Sequence, residues 1–229
     1  RTTQRGRCSR RQRHEVQARR RKPWKMLFAA PPNERRQSWS QRLGLKPYSS
    51  ASVYRALRSA PLLSAYSSAL IPHPPDWPPS VHITGYFFLD NPTNWQPSAE
   101  LTAFLEAGEP PVYIGFGSMA GRNPQQLADL ILEALSKSGQ RGLLLTGWGG
   151  LRAERVPKNV LVVDSAPHSW LFPRMSAVVH HGGAGTTAEG LRAGRPTVIV
   201  PFVFDQAFWG ARVKTLGVGP SPIPIKHLT

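Results

Sequence analysis

Residues 178–206, VVHHGGAGTTAEGLRAGRPTVIVPFVFDQ, place two adjacent histidines before a glycine turn, then two threonines, a glutamate and, after an apolar run, an Asp-Gln pair. Gly182, Gly183 and Gly185 let the backbone come close to a ligand. A helix is expected to open near residues 184–187. Its first amides lack intrahelical partners and sit at the positive end of its dipole. Thr186 and Thr187 add hydroxyl donors. Such a turn is an anion site, most naturally for a diphosphate. A histidine at the strand end, His180 or His181, can donate a hydrogen bond to the same anion, whose charge favours the imidazolium. Glu189 lies one turn into the helix. Its carboxylate would repel phosphate, but its acceptor oxygens suit the vicinal hydroxyls of a ribose. Asp205 and Gln206 suit further hydroxyls, as on a hexose. Diphosphate, ribose and hexose together describe a nucleotide sugar. A P-loop is excluded because no Gly-Lys-Ser/Thr follows the glycines, and a dinucleotide fingerprint because no G-x-G-x-x-G opens the first strand.

These side chains need a scaffold, and the pattern from Pro111 onward supplies one. PVYIGFG, GLLLTGW, NVLVVDSA, AVVHHG and PTVIVP read as five strands, and GPSPIPI is expected to start a sixth. Between them NPQQLADLILEALSKSG, HSWLFPRM, GTTAEGLRAG and DQAFWGARVKTLG read as helices, the first capped by Asn123 with Pro124 at its first position. The strands are continuous apolar runs, as expected when both faces are covered. Such strands alternating with helices predict an α/β fold with a doubly wound parallel sheet. Ligands of such sheets sit beyond the carboxyl ends of the strands. Gly115, Gly117, Ser118, Trp148, Gly149, Gly150, Ser165, Pro167, His168, His180, His181, Phe202, Asp205 and Gln206 all fall on that edge.

Upstream, residues 33–60 read as one or two short helices broken at Gly44 and Pro47. Residues 62–71 and 81–88 are each expected to contain a strand, separated by prolines at 72, 74, 75, 78 and 79. A short helix is expected from Ser98, its N-cap, to Gly108, its stop. Of the formal charge of +16 over 229 residues, ten units fall in residues 1–25, which hold nine Arg and two Lys against one Glu. With almost nothing apolar to bury, this tail is expected to be disordered. It could meet an anionic membrane surface weakly, and its charge alone specifies no nucleic acid. The single Cys8 excludes an internal disulfide and a cysteine zinc cluster. No run of eighteen apolar residues predicts a membrane span, and no secretory signal is visible. A cytoplasmic setting, peripheral at membranes, is expected.

The motifs PPVYIGFGSM, TGWGGL, APHSWLFPRMSAVVHHGGAGTTAEGLRAGRPTVIVPFVFDQAFWGARV and LIPHPPDWPPSVHITGYFFLD resemble those of nucleotide-sugar glycosyltransferases of the GT-B type, the UDP-glycosyltransferase superfamily. Within it the chain resembles sterol 3-beta-glucosyltransferases and the bacterial glycopeptide and macrolide glycosyltransferases. The resemblance covers roughly residues 33–229. After the basic tail (1–25) read from composition, it implies the end of an acceptor domain (26–89), a linker with a short helix (90–110) and a Rossmann-like donor domain (111–229), incomplete at its C-terminus.

The family's donor signature has a histidine eight positions before a glutamate, so counting back from Glu189 gives His181 as the diphosphate ligand. The resemblance adds Ser118, Gly183, Gly185 and Thr186 at the diphosphate. It assigns Pro167 and His168 to the uracil through their backbone, Glu189 to the ribose, and Asp205 and Gln206 to the sugar. His180 is left to strand-end packing. The implied donor is a UDP-sugar, UDP-glucose first, with a TDP-sugar as the alternative; no other cofactor and no metal are implied, and the sequence has no Asp-x-Asp motif. The implied reaction is an inverting transfer of a hexose to a hydroxyl of a lipophilic acceptor, a sterol or polyketide-like molecule. The family's catalytic base, a histidine early in the acceptor domain, has no counterpart: His14, His73 and His82 lie in other contexts. The chain therefore reads as the donor-binding half of such an enzyme, truncated at both ends. A non-catalytic nucleotide-sugar-binding remnant is the alternative.

Overall fold

The computed structural model describes residues 41–44, 50–89, 94–119, 123–146 and 156–228. The chain divides into two compact units, residues 1–63 with 77–82, and residues 64–76 with 83–229. The basic segment 1–25, and Trp148, Gly149 and Gly150, lie outside the described residues. The first unit contains helix α1 (Ser50–Ser59). Upstream, a helical turn ends at Gly44, whose φ of 65° is the left-handed conformation expected of a break there. The two expected upstream strands are short, β1 (Leu62–Ser64) and β2 (Val81–Ile83), and they pair with each other.

The second unit is built on a five-stranded parallel sheet: β3 (Val112–Gly115), β4 (Gly142–Leu145), β5 (Val160–Val163), β6 (Ala177–His180) and β7 (Thr197–Ile199). The spatial order is β5-β4-β3-β6-β7. The order in which successive strands are added reverses between the parallel neighbours β3 and β6, where Gly115 is registered with His180. That is the switch point at which an open α/β sheet leaves a crevice.

Alternating strand residues feed two cores. Ile114, Leu144 and Val160 pack with Leu127, Ile131 and Leu135 of helix α3 (Pro124–Ser138). Tyr113, Leu143, Leu161 and Val178 face the other way, onto Leu101 of helix α2 (Ala99–Glu106) and Leu171 of helix α4 (His168–Leu171). Both faces are covered, which is why the strands read as unbroken apolar runs. The expected caps form. Ser98 Oγ accepts from Leu101 N–H at 3.1 Å and Asn123 Oδ1 from Gln126 N–H at 3.2 Å. Gly139, given no role from the sequence, closes α3 at φ 66°.

One expectation changes. Residues 219–225 form no sixth strand. Prolines at 220, 222 and 224 remove alternate N–H donors, so only Ile223 and Ile225 bond to the chain around β7, through Ile199 and Pro201 carbonyls at 3.0 and 3.1 Å. A 3-10 turn follows at Ile225–His227. Residues 64–76 and 83–89 lie in the unit of the sheet. Leu70 shares a core with Ile199, Trp209 and Val213, and its carbonyl accepts from Arg212 Nε at 2.9 Å. Among the described residues, no helix is long and apolar enough to cross a membrane.

Candidate functional site

The glycine turn after β6 leads into helix α5 (Ala184–Arg192), whose N-cap, Gly183, provides no side-chain hydrogen bond. The first-turn amides are thus left for a ligand or for water. The three glycines differ in role. Gly182 has φ 91°, and a Cβ there would lie 2.6 Å from Ile199 Cγ2 and 3.1 Å from the Gln206 carbonyl. Its bareness serves packing between the turn and the next helix. A Cβ on Gly183 would meet the His181 ring, with Nε2 at 2.7 Å. Only Gly185 opens onto free space, with nothing within 4 Å of a Cβ. The threonines also part company. Thr186 lines a cleft, whereas Thr187 is buried and returns its hydroxyl to the Gly183 carbonyl at 2.9 Å. The second hydroxyl expected for the anion is therefore spent on the helix itself.

Strand alternation separates the two histidines. His180 is fully buried. Its Nδ1 accepts the Gly182 N–H at 3.0 Å, so it braces the turn from inside. Burial, with the nearby His181 and His168, pushes its pKa down to about 3, and the ring is neutral. His181 lies over Gly183 and beside Gly117, across the switch point. Burial lowers its pKa while the carboxylate of Asp205 pulls it back up. Its Nδ1 is enclosed without a hydrogen-bond partner among the described residues. Ser118 stands in the 3-10 turn Gly117–Met119 at the end of β3; its side chain is outside the described residues.

A cleft of about 580 Å³ opens along α5. It brings together Pro167, His168, Gly185, Thr186 and Glu189, five of the residues expected to hold the nucleoside and the diphosphate. The His168 ring turns inward. It stacks on Phe172 at 4.4 Å and its Nε2 meets the Tyr113 hydroxyl at 3.2 Å, so only the backbone of this residue is left for a ligand edge. Burial, with the nearby His181, pushes its pKa down to about 4. Glu189 is mostly covered, with Arg192 Nη1 3.9 Å from its Oε1.

His181, Asp205 and Gln206 do not line this cleft. They continue the same sheet edge on the side of helix α6 (Gln206–Thr215). Asp205 makes no cap to α6; its Oδ2 accepts from the Trp209 indole at 2.8 Å. Gln206 is buried, and its Oε1 accepts from Phe202 and Val203 N–H at 2.7 and 3.0 Å. Its carbonyl end is therefore committed to shaping the loop.

The far wall of the cleft is segment 86–89, Tyr-Phe-Phe-Leu, to which the sequence reading gave no site role. The signal was a run of four large apolar residues, three of them aromatic, just before an Asp-Asn-Pro break.

Residues 149–227 match the family described as erythromycin biosynthesis protein CIII-like, C-terminal domain. The chain is 50% identical over 192 residues to sterol 3-beta-glucosyltransferase UGT80B1 of Arabidopsis thaliana, covering 82% of this chain and 31% of that protein. It is 53% identical over 165 residues to sterol 3-beta-glucosyltransferase UGT80A2 of the same plant, covering 72% and 26%. The chain thus spans less than a third of the length of these relatives. Among solved structures, the glycotransferase of kitacinnamycin aligns with a TM-score of 0.66 at 20% identity, over 94% of this chain and 56% of that one. The calicheamicin glycosyltransferase CalG4 aligns at 0.57 and 18%, over 84% and 53%. At these identities the structural likeness concerns the fold.

Proposed function

We propose, from the premise that this chain belongs to the UDP-glycosyltransferases of GT-B fold, that it binds a UDP-sugar, UDP-glucose first, and that the whole protein transfers the hexose to the hydroxyl of a sterol-like acceptor. The observation that carries this reading is the uncapped N-terminus of α5, with His181 on one side and a cleft holding Glu189 on the other. The sterol glucosyltransferases among the relatives support the acceptor class.

In this reading the diphosphate lies at the N-terminus of α5, near Gly185 and Thr186, with the nucleoside in the cleft and the sugar toward Asp205. The acceptor oxygen attacks the sugar C1 as the bond from C1 to the diphosphate oxygen breaks. The acceptor proton passes to a base, and the leaving diphosphate keeps the electron pair. Attack from the face opposite the leaving group inverts C1. Charge then grows where the helix amides and His181 already point, a preorganised stabilisation of the departing group. His181 enters as a neutral N–H donor, and a neighbouring anion raises its pKa toward protonation. Glu189 holds ribose hydroxyls. Asp205, with one oxygen on the Trp209 indole, offers its other to the sugar.

Calorimetric titration with UDP and UDP-glucose tests the assignment. Glu189→Ala is expected to weaken both ligands, and Asp205→Ala only the sugar-bearing one. A chain that binds neither ligand refutes the reading. Equal loss of both in Asp205→Ala removes the sugar role from Asp205.

A further inference from the structure

We propose that segment 86–89 is the second wall of the nucleoside site, and that the ring of Phe88 is the flat apolar surface against which the base packs. This rests on the UDP-sugar reading above and adds to it a determinant of nucleotide binding ahead of the sheet.

The cleft has two sides of unlike chemistry. One is made by the α4 and α5 residues Pro167, His168, Ser169, Gly185, Thr186, Ala188 and Glu189. Its one aromatic residue, His168, has its ring stacked away on Phe172 and bonded to Tyr113. That side offers backbone, hydroxyl and carboxylate, and no flat apolar face. The other side is Tyr86, Phe87, Phe88 and Leu89. Bases bind proteins largely through their faces, on aromatic rings, as well as through their edges. Among the described lining residues, only this segment supplies such a ring.

Phe88 is also held in place before any ligand arrives. The guanidinium of Arg192, from the last turn of α5, sits 4.3 Å from its ring centroid, and the Tyr86 ring lies 5.7 Å away. Arg192 in turn neighbours Glu189, the expected ribose ligand. The aromatic wall and the ribose carboxylate thus share one positioning residue. Phe88 nevertheless keeps 37% of its surface exposed, Phe87 70% and Leu89 89%. Apolar area left in water at the mouth of a cleft is area that a ligand can cover. The cleft volume of about 580 Å³ is within the range of small-molecule sites.

The test uses the 229-residue chain and three probes: UDP, uridine and inorganic pyrophosphate. Phe88→Ala is expected to weaken UDP and uridine by the same factor, on the order of tenfold, and to leave pyrophosphate unchanged. Phe88→Leu keeps the bulk without the flat ring and is expected to fall between. Phe88 is partly exposed, so both variants are expected to melt near the parent temperature. UDP affinity of Phe88→Ala within twofold of the parent overturns the proposal, as does an equal loss for pyrophosphate. A parent chain that binds no UDP overturns the UDP-sugar reading and this proposal together. Normal UDP binding with an indifferent Phe88→Ala overturns the proposal alone.

Discussion

Adjacent histidines on one strand end give a sharp test, because the structure assigns them opposite work. His180→Ala removes a fully buried ring and the acceptor of the Gly182 N–H. Orphaning that amide costs about 1–3 kcal/mol. The vacated volume adds about 2–3 kcal/mol, by analogy with other large-to-Ala core changes. The two together come to about 3–6 kcal/mol, a fall in Tm on the order of 10 °C for a chain of this size. His181→Ala has a different signature. Its Nδ1 has no partner among the described residues to lose, so the fold is expected to melt near the parent temperature. UDP binding is expected to weaken by about 1.5–3 kcal/mol, the usual size for a hydrogen bond to a charged group. Thermal denaturation and calorimetric titration, run on both variants at one pH and ionic strength, separate the two effects. If His181→Ala unfolds the chain and binding survives, while His180→Ala melts normally and loses UDP, the strand register used here is wrong. Equal loss of affinity in both, with normal melting, would refute the division of labour.

Acid should destabilise the fold earlier than carboxylates alone would. His168 and His180 have folded pKa values near 4 and 3, below the 6.5 of the free side chain. The unfolded chain therefore takes up more protons below pH 6.5, and the stability present above that pH is lost as pH falls toward the folded values. By pH 5 the loss is about 2 kcal/mol for each histidine, and urea denaturation showing equal stability at pH 7 and pH 5 would contradict it. The glycines make a second pair. Gly182→Ala is expected to cost about 2–4 kcal/mol, from φ 91° and contact with Ile199 and the Gln206 carbonyl. Gly185→Ala should melt like the parent yet weaken UDP binding, because its Cβ would occupy the space left for the anion. Unchanged UDP affinity in Gly185→Ala would show that no ligand approaches the helix there.

Much of this protein is legible in the sequence because the signals are local. Strand runs covered on both faces, Ser98 and Asn123 as caps and the glycine turn after β6 depend on neighbours within a few residues. The proposal of an anion site rests on the same local chemistry, since a glycine turn, a helix start and a strand-end histidine need only one strand and one helix. The tertiary structure decided what each side chain of that pattern is free to do. Gly182 is bare for Ile199 and Gln206, while Gly185 is bare toward open space. Thr187 and the carbonyl end of Gln206 are consumed by their own backbone, and Asp205 divides its oxygens with Trp209. The sixth strand failed because three alternate prolines leave too few donors to extend a ladder beside β7. Segment 86–89 reaches α5 across about a hundred residues of chain, and no local periodicity encodes which distant helix an aromatic run will face. That contact exists only once the sheet has closed around its core, which is why the wall of the cleft had to be read from the fold.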